Sequence, residues 1–490
     1  MYFNSFTMGI LKYFLVLLPF FGATQAPFLK LYAGNGFDRG EGVVQLEDSS
    51  YIVTGTSGSW GGSTQIFLMN VDSLGNYKWS KQYGGEESEE GRRVLYNKDL
   101  GLFVAGTSNS YGNGDFDVYL FNTDKNGVFN WHKNYGDADH WEKVNDAVMT
   151  ADSGMFIVGE KLKLNGGNVD WYMLRTNKNG DTLWTKSWGG TGEDRANAVI
   201  EKDGIYWVGG EAYITQNDVV RGIVLRINDN GEIISGDTLN DLNRKYAITG
   251  LAKGVDRIYF CGYREVSAGV FDAYTGSLNF DGSLISHYTI TNTANQDIFD
   301  KVIYSPSNNA VLIAYRTLNP GTYQDEFDNY FAFFDPTNVF WLNNFRAMNN
   351  EGRDQTNQMI QTIDGGILAV GFNTNTGLAD FSVNGGSNVF LFKVSNQSEF
   401  PVTQGVYDLN QLVFTQEIEP VKLKIYPNPV FNNLKIETNT AIQNAQLTDL
   451  QGKTFWTGNI ENQTNINCEN LSSGVYLLKV RNQIFKIVKN

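Results

Sequence analysis

The stretch Trp79–Gly85, which reads WSKQYGG, recurs along the chain and decides its fold. Each copy has an aromatic residue, a Lys two places later, and a second aromatic followed by small residues. The other copies are Phe28–Gly34 (FLKLYAG), Trp131–Gly136 (WHKNYG) and Trp184–Gly190 (WTKSWGG). Counted between their second aromatics, the four copies are 51, 52 and 53 residues apart. Such a constant period is typical of a repeat fold.

Four short strand patterns fill each period. The first is apolar, the second ends in Gly, the third is rich in aromatics, and the fourth is the recurring phrase. Turns that begin with Asn or Asp and close with Gly separate the third and fourth patterns: Asp72–Gly75, Asp124–Gly127, Asn177–Gly180 and Asn228–Gly231. Four antiparallel strands in about 50 residues are typical of a β-propeller blade. We count seven blades; six or eight stay open because repeats five (239–290) and six (290–345) are weak.

The seventh repeat has three strand patterns and stops near Ser395. The segment Phe28–Tyr32 carries the missing fourth pattern at the other end of the repeats. Joining the two ends would remove the exposed edges of an open sheet. The sequence therefore predicts an all-β chain with a seven-bladed propeller over residues 27–395.

The N-terminus has the pattern of a secretory signal peptide over residues 1–26. Lys12 precedes the apolar run Tyr13–Phe21, and small residues follow up to Ala26, after which we expect cleavage. The run is too short to span a bilayer comfortably, so we expect no transmembrane segment after cleavage. A net charge of −15 argues against nucleic acid or an anionic membrane surface as a partner.

The composition changes after the propeller. Residues 396–421 are rich in Gln, have no repeat pattern, and are predicted to be a linker. Residues 422–490 contain short alternating strands with Gly turns, which indicates a small Ig-like β-sandwich. This segment carries four motifs: Tyr426-Pro427-Asn428-Pro429, Asp449 with Gly452, Gly474-Val475-Tyr476, and a basic end.

Two resemblances follow from these motifs. The repeats resemble bacterial extracellular β-propeller repeats of the SBBP-like and delta-60 type, which implies a fold and a location but no shared activity. Residues 422–490 closely resemble the type A sorting domain of the type IX secretion system. That resemblance implies Sec export, passage across the outer membrane guided by the type IX machinery, and a product that is secreted or held on the outer cell surface.

A catalytic or metal-binding set is not found. The two cysteines, Cys261 and Cys468, fall in different predicted domains, so we expect separate thiols, with Cys261 acting as a buried hydrophobe. His140-Trp141-Glu142 matches half of a zinc deaminase motif, but the Cys-x-x-Cys half is absent. The Asp-initiated turns lack the spacing of an EF-hand loop. We predict no metal, no cofactor and no enzymatic activity.

An acidic residue recurs six places after the second aromatic of the phrase: Asp38, Glu89, Asp194 and Glu351. One hypothesis is a ring of carboxylates that holds a cation or a polyol. The interpretation we favour is structural, with each carboxylate accepting backbone N–H groups of its own turn.

The loops between the second and third strands vary in length and carry aromatic and acidic residues. Function in a propeller usually resides on such loops. The candidate ligand-binding residues are Trp60, Tyr111, Asp115, Tyr213, Tyr323, Asp325 and Phe381. We predict a secreted or surface-attached, adhesin-like propeller that binds an extracellular glycan or protein. The alternatives are a polysaccharide hydrolase or lyase that uses carboxylates at the propeller mouth, and a propeller that serves only as a spacer.

Overall fold

The computed structural model describes residues 26–490 except for short segments, and every regular element in the described part is a β-strand. The segments left out are 60–61, 113–114, 165–166, 215–218, 239–244, 268–269, 291–295, 319–326, 340, 347–352, 375–385, 395–403, 409–414, 417–423, 439–441, 451, 461–462 and 481–482. The predicted signal peptide lies outside the described residues, apart from Ala26. No described helix is long and apolar enough to cross a bilayer.

Seven four-stranded antiparallel sheets form the blades. The chain begins with β1 (Phe28–Ala33). Blade 1 contains β2 (Asp38–Gln45), β3 (Tyr51–Ser57), β4 (Gln65–Val71) and β5 (Tyr77–Tyr83). Blade 2 contains β6 (Glu89–Asn97), β7 (Gly101–Ser108), β8 (Asp117–Thr123) and β9 (Phe129–Tyr135). Blade 3 contains β10 (His140–Met149), β11 (Met155–Lys163), β12 (Val169–Thr176) and β13 (Thr182–Trp188). Blade 4 contains β14 (Arg195–Lys202), β15 (Ile205–Ile214), β16 (Val219–Ile227) and β17 (Ile233–Thr238). Blade 5 contains β18 (Tyr246–Lys253), β19 (Ile258–Ser267), β20 (Val270–Leu278) and β21 (Leu284–Thr289). Blade 6 contains β22 (Gln296–Ser305), β23 (Ala310–Leu318), β24 (Phe327–Phe334) and β25 (Trp341–Arg346).

Blade 7 takes its outer strand from the other end of the propeller. It contains β26 (Asp354–Gln361), β27 (Ile367–Asn373) and β28 (Asn388–Val394), and β1 pairs antiparallel with β28. Phe28 lies opposite Lys393 and Tyr32 lies opposite Val389. The inner strands of neighbouring blades contact one another in a closed cycle. The prediction of seven blades closed by the N-terminal strand is confirmed.

The recurring phrase joins each blade to the next. The Tyr83 hydroxyl, on the outer strand of blade 1, donates to the carbonyl of Gly127 in the β8–β9 turn of blade 2 at 2.6 Å, and Lys81 Nζ donates to the same oxygen at 3.1 Å. Gly127 has φ of +74°, and a Cβ there would lie 2.8 Å from the Tyr83 hydroxyl and 3.0 Å from the Trp79 ring. The phrase and the Gly-closed turn are therefore the two halves of one contact between blades.

Other blades repeat this contact. Tyr32 donates to the Gly75 carbonyl at 2.5 Å, Tyr135 donates to the Gly180 carbonyl, and Lys186 donates to the Gly231 carbonyl at 2.7 Å. Because Tyr32 belongs to the closing strand β1, the contact also holds the junction between blades 7 and 1.

The core lies between adjacent blades. One cluster joins Ile52 and Leu68 of blade 1 to Val94 and Val104 of blade 2, all without solvent exposure. The Tyr83 ring stacks on Phe121 of the next blade with the ring centres 4.6 Å apart. Since each blade buries its apolar faces against its neighbours, the ring needs all seven sheets to exclude water.

Each inner strand carries a β-bulge at the same place. Pairing with the second strand skips one residue, so that two residues face one. The seven skipped residues, which we call the polar belt, are Glu41, Arg92, Asn145, Asn197, Thr249, Asp300 and Asn357.

At four junctions, the belt side chain donates to a carbonyl just before the bulge of the next blade. These bonds run from Asn145 to Ala196 (2.9 Å), from Asn197 to Ile248 (3.0 Å), from Thr249 to Phe299 (2.5 Å) and from Asn357 to Gly40 (2.9 Å). Between blades 1 and 2 an ion pair of Arg92 with Glu41 at 3.4 Å takes their place. The belt therefore ties the inner strands together around the axis.

Two short strands lie within the segment that the sequence predicts as a linker. β29 (Gln404–Asp408) pairs parallel with β1 at the edge of blade 7, and β30 (Thr415–Gln416) pairs parallel with β5 at the edge of blade 1. We call these two strands the strap. It covers the outer edges of the two blades that meet at the closure.

The C-terminal part forms two small sheets. One contains β31 (Lys424–Tyr426), β32 (Asn433–Glu437) and β35 (Gln463–Asn467); the other contains β33 (Ile442–Asp449), β34 (Thr454–Ile460), β36 (Gly474–Val480) and β37 (Gln483–Lys489). Their buried side chains form one cluster that includes Leu434, Leu447, Cys468 and Leu478. The predicted small β-sandwich is confirmed.

Three of the predicted motifs have clear structural roles in this sandwich. Asn428 joins the start of the unit to its last strand, because its side chain donates to the Lys486 carbonyl at 2.8 Å and accepts the Val488 N–H at 2.8 Å. Asp449 accepts the Lys453 N–H at 2.9 Å in a turn where Gly452 has φ of +87°. Tyr476 donates to the Ser472 carbonyl at 3.0 Å.

The remaining motif residues flank these contacts. Tyr426 ends β31 and its hydroxyl donates to Glu437, Pro427 and Pro429 bracket Asn428, and Gly474 begins β36.

Candidate functional site

The candidate site is the entrance to the central channel. It is formed where the inner strands begin and the second strands end, on the side of the ring that carries the variable loops. We use the name channel mouth for eight residues of blades 1 to 5: Arg39, Glu41, Glu90, Arg92, Glu160, Arg195, Glu211 and Tyr263.

The recurring acids at the strand starts serve the fold. Asp194 accepts the Gly190 N–H at 2.7 Å and the Tyr213 N–H at 2.6 Å. Glu89 accepts the Gly85 N–H at 3.0 Å and a hydroxyl of Ser108 at 2.8 Å. These bonds match the favoured structural interpretation; Asp38 likewise accepts serine hydroxyls, and Glu351 lies outside the described residues. Burial raises the pKa of Asp38, Glu89 and Asp194.

In three of the four copies of the phrase, a glycine follows the second aromatic and makes room for nearby acids. A Cβ on Gly189 would lie 2.1 Å from an Asp170 oxygen and 2.7 Å from an Asp194 oxygen. A Cβ on Gly84 would lie 2.2 Å from oxygens of both Gln65 and Glu89. The aromatic-Gly step of the repeat therefore follows from a close approach of two polar side chains of neighbouring blades.

Arginines neutralise the carboxylates of the channel mouth. Arg92 pairs with Glu41 at 3.4 Å and with Glu90 at 2.9 Å. Arg195 contacts Glu160 at 3.5 Å and Glu211 at 3.1 Å, and it also pairs with Glu193. The mouth is thus a partly buried network of alternating charges.

Two titratable groups of this network are shifted by their surroundings. Burial raises the pKa of Glu211, and Arg195 opposes that shift. Burial also raises the pKa of Tyr263 to about 12, with a further contribution from the negative charge of Glu211. Both groups therefore hold their protons more firmly than they would in water.

The structure describes three of the seven predicted ligand residues. The Tyr111 ring stacks on Tyr119 with centres 5.3 Å apart, and its hydroxyl donates to the Gly84 carbonyl at 3.0 Å. Asp115 is exposed, and Tyr213 is half-buried. Tyr111 and Asp115 belong to blade 2 and Tyr213 to blade 4, so blade 3 separates them. Trp60, Tyr323, Asp325 and Phe381 lie outside the described residues.

The His140 motif gains a third member in the fold. Ligand atoms of Asp137, His140 and Glu142 all lie within 4.8 Å of one another. The ammonium of Lys161 hydrogen-bonds to Asp137 and lies 3.2 Å from Glu142, so a positive charge already sits between the two carboxylates. This bond lowers the pKa of Asp137, whereas burial raises that of Glu142.

His132 and Cys261 both have structural surroundings. His132 lies edge-on to Tyr111 and Tyr119, and its Nδ1 lies 3.2 Å from the Tyr119 hydroxyl. Cys261 and Cys468 are separate, buried thiols. Burial raises the pKa of Cys261 to about 12, which leaves it protonated and unreactive at neutral pH.

The polar belt and the arginines of the mouth are the residues that sequence reasoning missed. A signal for the belt was present, because its members recur at intervals of 51 to 57 residues, each in the first strand of its repeat. The pairing of each arginine had no such signal, since its partners come from neighbouring blades.

Comparison with known proteins gives one match by family model and several by shape. The secretion system C-terminal sorting domain model matches residues 424–490. No curated protein matches the chain.

Solved structures of propellers share the general shape. The Dos1 propeller is 12% identical, covers 78% of this chain and 98% of its own, and has a TM-score of 0.41. Sqt1 from Chaetomium thermophilum is 11% identical, covers 76% of this chain and 100% of its own, and has a TM-score of 0.38. At these scores, the seven-bladed architecture rests on the sheet topology described above.

The sorting domain marks proteins that are secreted and attached to the outer cell surface, and it implies the secretion machinery as a partner. In this chain the predicted motifs lie in the opening, the hairpin and the final strands of that domain. Residues 424–490 are therefore a secretion system C-terminal sorting domain of the type IX pathway, and the domain follows a β-propeller.

Proposed function

We propose that this protein is a non-catalytic, adhesin-like binding protein that meets an extracellular glycan or protein at its channel mouth. The observation that carries the proposal is that the carboxylates at and near the mouth already have hydrogen-bond or ion-pair partners within the protein. Those at the strand starts accept internal hydrogen bonds, and Glu41, Glu90, Glu160 and Glu211 are paired with arginines. Paired charges on a rigid ring suit recognition of a polar ligand.

One observation favours the alternative, a polysaccharide hydrolase or lyase. Glu160 and Glu211 share Arg195, and burial raises the pKa of Glu211. A general acid needs such a raised pKa beside a second carboxylate that stays ionised. In this alternative Glu211 is the proton donor and Glu160 its partner.

Both functions are tested with the mature chain from Pro27 onward. It is applied to a glycan array and incubated with a panel of soluble polysaccharides, and new reducing ends and unsaturated products are measured. We expect retention of at least one glycan class without release of product. Product that forms with the natural chain and is lost in Glu211→Gln would replace binding by catalysis. A chain that neither binds nor cleaves any member contradicts both glycan-directed functions.

A further inference from the structure

Arg39 occupies an unusual position at the channel mouth. It lies near the start of β2, and its guanidinium carbon is 4.2 Å from the centre of the Phe37 ring and 4.4 Å from that of Phe372. Phe37 precedes the strand and Phe372 belongs to β27 of blade 7, so these residues span the junction at which the ring closes. We call the three residues the arginine clamp. Its rings cover the guanidinium and leave the N–H groups at its edge for hydrogen bonding.

Arg39 differs from the other inner-strand arginines in its partners. Arg92 is held by Glu41 and Glu90, Arg93 by Asp146 at 2.6 Å, and Arg195 by three glutamates. Within the described part of the chain, the Arg39 side chain makes no hydrogen bond or ion pair, and its Nε, like that of Arg92, is buried without a partner. A buried donor without an acceptor is costly, so an acceptor supplied from outside would stabilise the site.

The surrounding charges favour an anion as that acceptor. Glu41, Glu90, Arg92 and Arg353 act electrostatically on Arg39. Both glutamates are paired with Arg92, and neither forms an ion pair with Arg39.

We propose that the arginine clamp binds the carboxylate of an acidic glycan, in particular a uronic acid residue. A carboxylate matches the planar N–H edge of a guanidinium in a bidentate manner. Phe37 is 37% exposed beside it, and an apolar ring face of this kind stacks on the C–H face of a pyranose. The proposal deepens the proposed function, on which it rests, by naming the ligand class.

An acidic peptide would supply the same carboxylate on a flexible side chain. Such a peptide would not need the exposed Phe37 ring next to the guanidinium. A uronate carries its carboxylate directly on the sugar ring, so both contacts are made by one residue of the ligand. For this reason the geometry favours the glycan.

The test measures binding of oligogalacturonate to the mature chain by calorimetry, with a neutral galactose oligomer and polyglutamate as comparison probes. Arg39→Gln should weaken oligogalacturonate binding at least tenfold, and Arg39→Lys should restore only part of it. Phe37→Leu should weaken oligogalacturonate binding without changing any polyglutamate binding. Arg264→Gln removes an arginine that already pairs with Asp272 in blade 5, and it should leave the affinity unchanged.

The outcomes separate this inference from the proposed function. If Arg39→Gln binds oligogalacturonate as tightly as the natural chain, the clamp is not the site, although a binding propeller stands. If the natural chain prefers the neutral oligomer, or if polyglutamate competes equally and Phe37→Leu has no effect, the uronate assignment is wrong. Circular dichroism of each variant verifies that the ring is folded.

Discussion

The tyrosines of the outer strands hydrogen-bond to the neighbouring blade. Tyr32, Tyr83 and Tyr135 each donate to the carbonyl of a turn glycine 43 to 45 residues further along the chain. The sequence predicts both the phrase and the turn, because each has its own residue pattern. It does not predict their contact, which depends on how neighbouring sheets stack.

Tyr83→Phe tests the value of this contact. The change removes a buried hydroxyl that donates at 2.6 Å, so we expect the free energy of unfolding to fall by about 0.5–1.5 kcal/mol. Urea denaturation followed by fluorescence measures the change. Tyr77→Phe is the control, because the Tyr77 hydroxyl hydrogen-bonds to Ser80 of its own strand rather than to another blade, and the change should cost less. Equal stability of Tyr83→Phe and the natural chain would contradict the role of the phrase.

Asp300, the belt residue of blade 6, should make stability depend on pH. Burial raises its pKa from 3.8 to about 6, although Arg316 lies 2.9 Å away and opposes the shift. Between these two values the folded chain keeps a proton that the unfolded chain has lost, so this contribution to stability falls as pH rises from 4 to 6.

Asp300→Asn removes that titration. The stability of the natural chain relative to Asp300→Asn should therefore be greater at pH 4 than at pH 7. The change amounts to about 1.4 kcal/mol for each pH unit between the two pKa values. Urea titrations of both proteins at several pH values measure it, and a difference that does not vary with pH would show that Asp300 is ionised throughout.

At the scale of strands, the register of the inner strands decides what lines the axis. The sequence predicts an apolar first strand in each repeat, and an inner strand lies at the start of each blade. It does not predict the bulges, because an inserted residue looks like any other polar residue until the partner strand is known. The sequence therefore predicts the blades well and contains the recurrence of the belt residues, while the bulges and the arginine pairs of the mouth emerge only from the fold.

The strap offers a second test at this scale. Two shortened chains, both without the C-terminal sorting domain, are compared. The chain that ends at residue 421 keeps β29 and β30, whereas the chain that ends at residue 395 lacks them. Because the strap covers the edges of blades 7 and 1, we expect the shorter chain to unfold roughly 2–5 °C lower in calorimetry. Identical midpoints for the two chains would mean that the strap contributes nothing to closure.

The molecule as a whole depends on joining its two ends. Every blade buries its apolar faces against two neighbours, so an open ring would expose the faces of blades 1 and 7 together. β1 prevents this exposure because it pairs with β28 and completes blade 7. It begins directly after the predicted cleavage site. Cleavage at the predicted site would therefore leave the closing strand at the start of the mature chain.

The most direct test of this closure is a cross-link between β1 and β28. Lys30 and Leu391 lie directly opposite each other, so Lys30→Cys with Leu391→Cys should form a disulfide on mild oxidation, detected by mass spectrometry of the linked peptides. Native Cys261 and Cys468 are buried and should not react. Lys30→Cys with Val389→Cys is two residues out of register and should stay reduced. A disulfide in the first pair alone is the result that we predict. Failure of the first pair, or equal reaction of both, would contradict a ring closed by its N-terminal strand.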